Sequence, residues 1–250
     1  MAPATLRPVL ILLPPSETKA GGGDGPPLEL DRLSFPDLNP VRRKLTDALV
    51  ELAGDVPASR AALGLSDRQD AEIDRNAALC TSATMPALRR YTGVLYDALD
   101  AGSLTAAQRR RADQRLAVAS ALFGVVRAAD PIPAYRCSGG SLLPGVGPLG
   151  AVWRPALEPV LCGIADLVVD LRSGPYATLA RLPAAVTVRV VTGEGLAVSH
   201  QNKAHKGLLA RALAVAPREP STVAGLVRIA ARAGLTLRRT GESTLDLVAG

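Results

Sequence analysis

The chain contains 250 residues, of which 48% are hydrophobic and 21% are charged. Both fractions are typical of globular proteins, so the composition excludes a chain that is disordered throughout. The formal net charge of +6 favours anionic partners. Because 25 of the 29 basic residues are arginines, the same excess also fits a compositional bias toward arginine.

No apolar run reaches the roughly 18–20 residues that a transmembrane helix needs. The N-terminal region also lacks the apolar stretch and cleavage site of a signal peptide. The sequence therefore predicts a cytoplasmic protein with no membrane partner. Three widely spaced cysteines, Cys80, Cys137 and Cys162, accompany only two histidines. This pattern predicts neither a disulfide framework nor a metal site, and no motif indicates a cofactor.

The order of apolar and polar segments predicts a mixed α/β fold. Residues 9–13 (VLILL) predict a short buried strand, which Pro14 and Pro15 end. Further strands are predicted over residues 116–122, 166–171, 186–191, 235–237 and 244–248, with residues 196–199 as a further hairpin partner. Helices are predicted over residues 39–53, 66–79, 85–99, 105–115, 152–164, 202–216 and 222–233. We expect one domain over residues 1–250, with a central mixed sheet flanked by helices.

Three segments are predicted to be irregular. Residues 1–7 are typical of a frayed tail. Residues 20–27 (AGGGDGPP) predict a flexible loop, either a lid or simple filler. Residues 123–148 are rich in glycine and proline and predict a long ordered loop, which in compact domains is often functional.

The first candidate site follows the first predicted strand, where residues 14–19 read PPSETK. Ligands of α/β sheets gather beyond the carboxyl ends of strands. The hydroxyls of Ser16 and Thr18 and the ammonium of Lys19 suit a phosphate or a carboxylate. The alternative is a turn with a solvent-facing lysine, and the spacing excludes a P-loop.

The second candidate site lies in residues 123–141, where Arg127, Asp130, Tyr135 and Arg136 share a loop restrained by glycine and proline. Arginine offers a planar fork that fits phosphate or carboxylate. Asp130 is placed to orient either arginine, and Tyr135 is a candidate for proton transfer. The alternative is a structural network of arginine and aspartate.

The third candidate site opens a predicted helix at residues 199–207 (SHQNKAHKG). Lys203 and Lys206 are three residues apart, hence on one face, and the helix start adds unpaired N–H groups. His205 is a candidate for proton transfer, or a surface residue. A fourth segment, residues 170–176 (DLRSGPY), adds the Ser173 hydroxyl after another strand. We expect Lys19, Arg136, Lys203 and Lys206 to converge around one concavity.

These segments, taken in order, resemble the YaaA peroxide-stress family. PPSETK resembles the segment that opens those proteins, in its actinobacterial form. Residues 91–99 (YTGVLYDAL) are similar to the family's Gly-x-x-Tyr-x-Gly-Leu stretch. Residues 122–136 resemble its Leu-Tyr-Gly-x-Leu-Arg core, and residues 203–207 resemble its Lys-x-Ala-Arg-Gly helix start.

The resemblance implies a mixed α/β fold with a positively charged cleft and a helix-hairpin-helix-like element, here within residues 39–78. It also implies double-stranded DNA binding and protection from peroxide. A helix-hairpin-helix element grips phosphates through backbone N–H groups and does not read bases.

Two functions remain open at this point. The first is non-specific binding of double-stranded DNA through phosphates in a basic cleft, as part of the peroxide response. The second is an enzyme that acts on a small anionic or nucleotide-like substrate in a pocket lined by Lys, Arg and Tyr, in specialised metabolism. Its catalytic candidates are Lys19, Asp130, Tyr135, Arg136 and His205.

Overall fold

The fold was derived from a computed structural model, which describes residues 9–164, 167–172, 174–196 and 202–249. The strands in these ranges are β1 (Leu10–Leu13), β2 (Met85–Pro86), β3 (Leu116–Ser120), β4 (Gly124–Arg127), β5 (Pro131–Ile132), β6 (Val168–Asp170), β7 (Val186–Val191), β8 (Thr236–Arg239) and β9 (Thr244–Val248). The α-helices are α1 (Asn39–Leu52), α2 (Val56–Leu63), α3 (Ala71–Ala77), α4 (Ala87–Arg90), α5 (Val94–Leu99), α6 (Ala106–Arg115), α7 (Leu149–Ile164), α8 (Pro175–Thr178), α9 (Asn202–Val215) and α10 (Val223–Arg232). The predictions for residues 1–7, for Ser173 and for residues 197–199 lie outside the described residues.

A seven-stranded sheet has the order β4-β3-β1-β6-β7-β9-β8. Its five inner strands are parallel, while β4 and β8 pair antiparallel at the two edges. The inner strand β1 and its neighbour β3 are buried along their whole length. That burial explains why both are short, continuous apolar runs. The prediction of a mixed sheet flanked by helices is confirmed.

Two of the predicted helices are divided in the structure. Residues 85–99 form β2, α4 and α5, because Tyr91 forms a β-bridge with Lys19 and Gly93 has φ of 98°. That positive φ ends the helical path and suits glycine alone at little cost. Residues 66–79 form a 3-10 turn, closed by a capping box at Ser66, and then α3.

Helix α2 (Val56–Leu63) is missing from the sequence prediction. Asp55 caps it by accepting a hydrogen bond from the Ala58 amide at 3.0 Å. Pro57 lies in its first turn, a position that needs no N–H donor. The helix is only eight residues long, and for that reason its apolar periodicity is weak.

The segment 123–148 is not a single long loop. Residues Gly124–Arg127 form β4, which folds back antiparallel on β3. Fully buried Arg42 fixes the turn between them by donating to the carbonyl oxygens of Phe123 at 3.0 Å and Val125 at 2.8 Å. The sequence prediction missed this edge strand because the glycine and proline content of residues 123–148 indicated a loop.

Residues 20–27 are irregular, as the sequence predicts, but they are tied to the fold and do not hang free. Buried Arg90 donates to the carbonyl oxygen of Gly22 at 2.9 Å. The Gly25 amide donates to the carbonyl oxygen of Thr84 at 2.9 Å. These hydrogen bonds anchor two of its glycines to neighbouring segments, and the flexibility of the loop stays a prediction.

Among the described residues, no helix combines the length and the apolar character that crossing a bilayer requires.

The contact between α5 and α9 sets the position of Lys206 and depends on Gly207. A Cβ atom at Gly207 would overlap the carbonyl oxygen of Leu95 and lie 2.9 Å from the Cβ of Ala98. We therefore expect Gly207→Ala to lower the free energy of unfolding by about 1–3 kcal/mol. Gly163→Ala, in open space on α7, should instead raise it by roughly 0.5–1 kcal/mol.

Urea unfolding of the two variants measures this difference directly. Equal and small effects at both positions would contradict the close approach of α9 to α5.

Candidate functional site

The candidate site lies where the sheet changes its direction of winding. The chain leaves β1 toward β3 on one side, and it leaves β6 toward β7 on the other. Strands β1 and β6 are parallel neighbours, so their carboxyl ends open at the same edge. Such a switch point is the usual ligand crevice of an open α/β sheet. Residues 14–19 follow β1 here, and residues 171–176 follow β6.

Lys19 is buried at this edge and contacts aromatic rings. Its exposed fraction is 8%. Its Nζ lies 4.1 Å from the ring centroid of Tyr135 and 5.4 Å from that of Tyr91, and it donates to the carbonyl oxygen of Ser16 at 3.1 Å. Both ring distances are within the range of a cation–π interaction. The site therefore holds an ammonium group whose nearest neighbours are mainly uncharged.

A buried chain of hydroxyl groups fixes those two rings. The hydroxyls of Tyr91 and Tyr135 are 2.7 Å apart, and the Tyr135 hydroxyl is 2.7 Å from Ser120 Oγ. Ser120 Oγ in turn accepts from the amide of Phe123 at 2.9 Å. Burial raises the pKa of Tyr91 to about 12 and raises that of Tyr135 as well. Both phenols are therefore neutral near pH 7.

Burial lowers the pKa of Lys19 to about 8. The charge of Glu17 opposes this shift, and the charge of Arg136 adds to it. The desolvation cost of the ammonium form outweighs the attraction of one partly exposed carboxylate. Lys19 therefore has an appreciable fraction of the neutral amine form near physiological pH, whereas an exposed lysine is almost entirely protonated.

Arg136 is the second cation of the site. Its Nη1 lies 3.9 Å from Glu17 Oε2, and its Nε is buried with no hydrogen-bond partner in the structure. Asn76 holds the Arg136 backbone from both sides, donating to its carbonyl oxygen at 2.9 Å and accepting from its amide at 2.8 Å. The backbone is thus fixed while the guanidinium retains an unused donor.

Three hydroxyls lie together at the exposed side of the site. Thr18 Oγ1 is 3.1 Å from Ser16 Oγ and accepts from Thr92 Oγ1 at 3.1 Å. Gly93 adjoins them, since a Cβ there would lie 3.4 Å from Ser16 Oγ. The hydroxyls can rotate to donate or accept, so they suit the oxygen atoms of an anion.

Lys206 is buried and holds the segment that follows β6. It is 4% exposed, and its Nζ donates to the carbonyl oxygen of Leu171 at 2.9 Å. Burial lowers its pKa. The buried pair of Arg172 and Asp170, with Nη2 and Oδ2 2.9 Å apart, holds the same segment. The Lys206 ammonium group is therefore hydrogen-bonded to the backbone, and its role is to hold the segment after β6 in place.

Tyr176 joins the two strand exits. Its hydroxyl donates to Glu17 Oε1 at 3.3 Å and accepts from the Gly139 amide at 3.3 Å. Glu17 thus accepts a hydrogen bond from Tyr176, forms an ion pair with Arg136 and interacts electrostatically with Lys19. This carboxylate connects the segment after β1 to the segment after β6.

Arg127 and Asp130 are not part of this cluster. Arg127 pairs with Ala117 near the start of β3, whereas Ser120 is at its other end. Asp130 accepts from the amide and hydroxyl of Ser34 at 3.0 and 2.7 Å, and burial raises its pKa. Because β4 runs antiparallel to β3, both residues lie near the amino end of β3. The candidate site lies at the carboxyl ends of the parallel strands, on the opposite side of the molecule. Arg127 and Asp130 thus form the structural network that the sequence left open.

The remaining predicted residues lie on α9. Lys203 is exposed in its first turn, and His205 is half-buried. Within the described part of the chain, no group of three or more His, Cys, Asp or Glu side chains is arranged to hold a metal ion. Helices α1 and α2 are joined by a three-residue turn at 53–55, inside the segment expected to hold a helix-hairpin-helix-like element.

Sequence reasoning placed Ser16, Thr18, Lys19, Tyr135 and Arg136 in candidate sites, and the structure brings these five together. The sequence prediction did not include Glu17, Ser120 and Cys137, which belong to the same cluster. Cys137 is buried beside Lys19 and Arg136, and burial raises its pKa to about 12. The only available signal was position, because Glu17 lies within PPSETK and Ser120 ends a buried strand.

The protonation of Lys19 should appear in the pH dependence of stability. The pKa of about 8 in the folded protein lies below the usual 10.5, so the unfolded chain binds more protons between those pH values. The contribution of Lys19 to the free energy of unfolding should therefore increase as the pH rises from 8 to 10.5. Lys19→Met should lack this contribution and be more stable near pH 7 by up to about 3 kcal/mol.

Urea unfolding at pH 7 to 10 tests this, with exposed Lys44→Met as the matched control. Parallel pH profiles for wild type and both variants would contradict the lowered pKa.

Comparison with known proteins identifies the family. A family model described as peroxide stress protein YaaA matches residues 9–238. A UPF0246 protein of Corynebacterium efficiens is 48% identical over 250 residues, covering 96% of this chain and 100% of that protein. A UPF0246 protein of Streptomyces coelicolor is 46% identical over 228 residues, covering 88% of each. The family model includes every strand and helix of the site, and the chain therefore belongs to the YaaA family of peroxide stress proteins.

Proposed function

We propose that the cluster of Lys19 and Arg136 binds a small anionic ligand, such as a phosphate-bearing nucleotide or a carboxylate, and that Lys19 moves a proton on that ligand. The observation that carries this proposal is the charge balance of the site. Two largely buried cations share one partly exposed carboxylate, Glu17. An anion would satisfy both cations and lower the cost of their burial.

Each group has a part in this proposal. The Arg136 guanidinium, whose side chain is 17% exposed, supplies directed hydrogen bonds from its terminal nitrogens to one end of the anion. The hydroxyls of Ser16 and Thr18 contact its outer oxygens. Lys19 is the proton carrier, because its pKa of about 8 allows both the amine and the ammonium form near pH 7.

The geometry favours Lys19 over the other candidates for proton transfer. Asp130 lies at the far edge of the sheet, and its carboxylate is occupied by Ser34. Tyr135 keeps its proton because burial raises its pKa, and its hydroxyl is bound to Ser120 and Tyr91. Tyr135 instead positions Lys19 by presenting its ring face.

Membership of the family supports a role for this chain in the response to peroxide. Cys137 does not supply a peroxide-reactive thiolate, because burial raises its pKa to about 12 and keeps it as a thiol. We therefore assign the chemistry of the site to the two cations.

Anion binding is tested by calorimetry with inorganic phosphate and ADP as probes. Arg136→Ala and Lys19→Met should each weaken binding about tenfold or more, since each removes charge-assisted hydrogen bonds. Exposed Arg110→Ala and Lys44→Met are the matched controls and should bind as the wild type does. Unchanged affinity in Arg136→Ala would refute the proposal.

Non-specific binding of double-stranded DNA is the second candidate. The net charge of +6 and the calculated isoelectric point of 9.6 favour a polyanion. Exposed Lys203, in the first turn of α9, is available for phosphate contact, whereas buried Lys206 is not. The hairpin of α1 and α2 is the proposed counterpart of the helix-hairpin-helix element.

A salt titration of DNA binding separates these two lysines. If DNA contacts the start of α9, Lys203→Ala should reduce the slope of log affinity against log salt by about 0.9. Lys206→Met should leave the slope unchanged, since its ammonium does not reach solvent. Affinity that is independent of salt would exclude binding through phosphates.

A further inference from the structure

A groove lies between the end of α9 and one face of α10, and the loop of residues 217–222 completes its lining. Its volume is about 760 Å³, which is within the range for small-molecule sites. Helix α10 contributes four residues whose spacing places them on one helical face, and these are Gly225, Arg228, Ile229 and Arg232. Leu226 and Ala230, on another face of α10, pack into the core. The groove face is therefore the side of α10 that the fold leaves uncovered.

Much of the wall of this groove is apolar. Ala212 and Val215 line it from α9, Ala216 follows them directly, and Ile229 faces them from α10. Val215 and Ile229 are only half-buried, so part of their apolar surface still contacts water. A ligand with an apolar body would remove that surface from water, which favours binding.

The rim of the groove is basic. Arg218, Arg228 and Arg232 line it, and none of the three guanidinium groups has a hydrogen bond or an ion pair with a residue that the structure describes. Arg228 and Arg232 are four residues apart on one helix, where like charges repel. Glu219 is the one carboxylate among the lining residues, and its Oε1 lies 3.2 Å from Nε of buried Arg115. The groove therefore attracts an anion.

The end of α9 would normally oppose an anion, because the last carbonyl groups of a helix carry partial negative charge. Here two arginines of α6 compensate those carbonyl groups. Arg115 Nη1 donates to the carbonyl oxygens of Leu213, Ala214 and Ala216 at 3.2, 3.1 and 2.6 Å. Arg111 Nε donates to that of Val215 at 3.0 Å. These hydrogen bonds also fix the wall of the groove before any ligand binds.

The dimensions of the groove limit the ligand. Gly225 and Arg232 are seven residues apart, which is about 10 Å along a helix. A ligand of that length with one anionic end would match the arginine pair and the apolar wall together. A polyanion such as DNA would use the arginines but would gain nothing from the apolar wall.

We propose that this groove binds a medium-chain carboxylate, with its carboxylate group on Arg228 and Arg232 and its hydrocarbon chain against Val215 and Ile229. The site goes beyond the function proposed above and is independent of it. It lies at one end of α9, whereas Lys206 holds the segment after β6 near the other end of that helix.

Calorimetry with octanoate, at concentrations below those at which it forms micelles, tests the proposal on the full chain. We expect saturable binding with a negative change in heat capacity, the signature of apolar burial. Acetate has the same charged group without the chain, and 1-octanol has the chain without the charge. Each should bind about tenfold more weakly than octanoate or not measurably.

Substitutions separate the two parts of the site. Arg228→Gln and Arg232→Gln should each raise the Kd for octanoate about tenfold, because each removes a charge-assisted hydrogen bond. Exposed Arg43→Gln, the matched control on α1, should leave the Kd unchanged. Arg136→Ala should also leave it unchanged, which distinguishes this groove from the proposed anion site.

The apolar wall has its own pair of variants. Ile229→Gln should weaken octanoate binding and make the change in heat capacity smaller, while acetate binding stays the same. Leu142→Gln replaces an exposed leucine elsewhere and should have no effect on either quantity.

Three results would overturn the proposal. The first is the absence of saturable binding at millimolar octanoate; a DNA duplex that then bound through Arg228 and Arg232 would assign the groove to a polyanion. The second is equal affinity for octanoate and acetate, which would indicate charge attraction alone. The third is unchanged octanoate affinity when Arg228→Gln and Arg232→Gln are combined, which would place the ligand elsewhere.

Discussion

The ammonium group of Lys19 is buried on the face of Tyr135, and the organisation of the site follows from the cost of that burial. A charged group removed from water must find compensation or change its protonation state. Here the ring faces and one backbone carbonyl give partial compensation, and the pKa falls to about 8. The same residual imbalance is the basis for the proposed anion binding and for the proposed proton transfer by Lys19.

The position of the Tyr135 ring depends in turn on contacts from distant parts of the chain. Ser120 at the end of β3 and Tyr91 before α5 hold its hydroxyl. Asn76 holds the backbone of the next residue, Arg136. Three segments far apart in sequence therefore meet around one lysine. Disturbing any of them would change the environment that sets the pKa of Lys19.

Much of the arginine in this protein serves the fold. Four arginines are buried and donate to backbone carbonyls, and these are Arg42, Arg90, Arg115 and Arg172. Arg115, for example, donates to three carbonyl oxygens at the end of α9. Their positive charges are unavailable to a polyanion. Net charge therefore overstates the basic surface, because a buried guanidinium counts in the total without reaching solvent.

The sequence by itself determined most of the local elements, although not α2 or β4, and the polar segments that carry the site. Short apolar runs predicted the buried strands, because this signal depends on neighbours in the chain. The grouping of Lys19 with Arg136, and the exclusion of Arg127 and Asp130, was decided only by tertiary structure. Strand order and the antiparallel return of β4 place Arg127 and Asp130 at the opposite ends of the strands from Lys19 and Arg136. The pKa of Lys19 likewise depends on distant groups, because they surround it only in the folded protein.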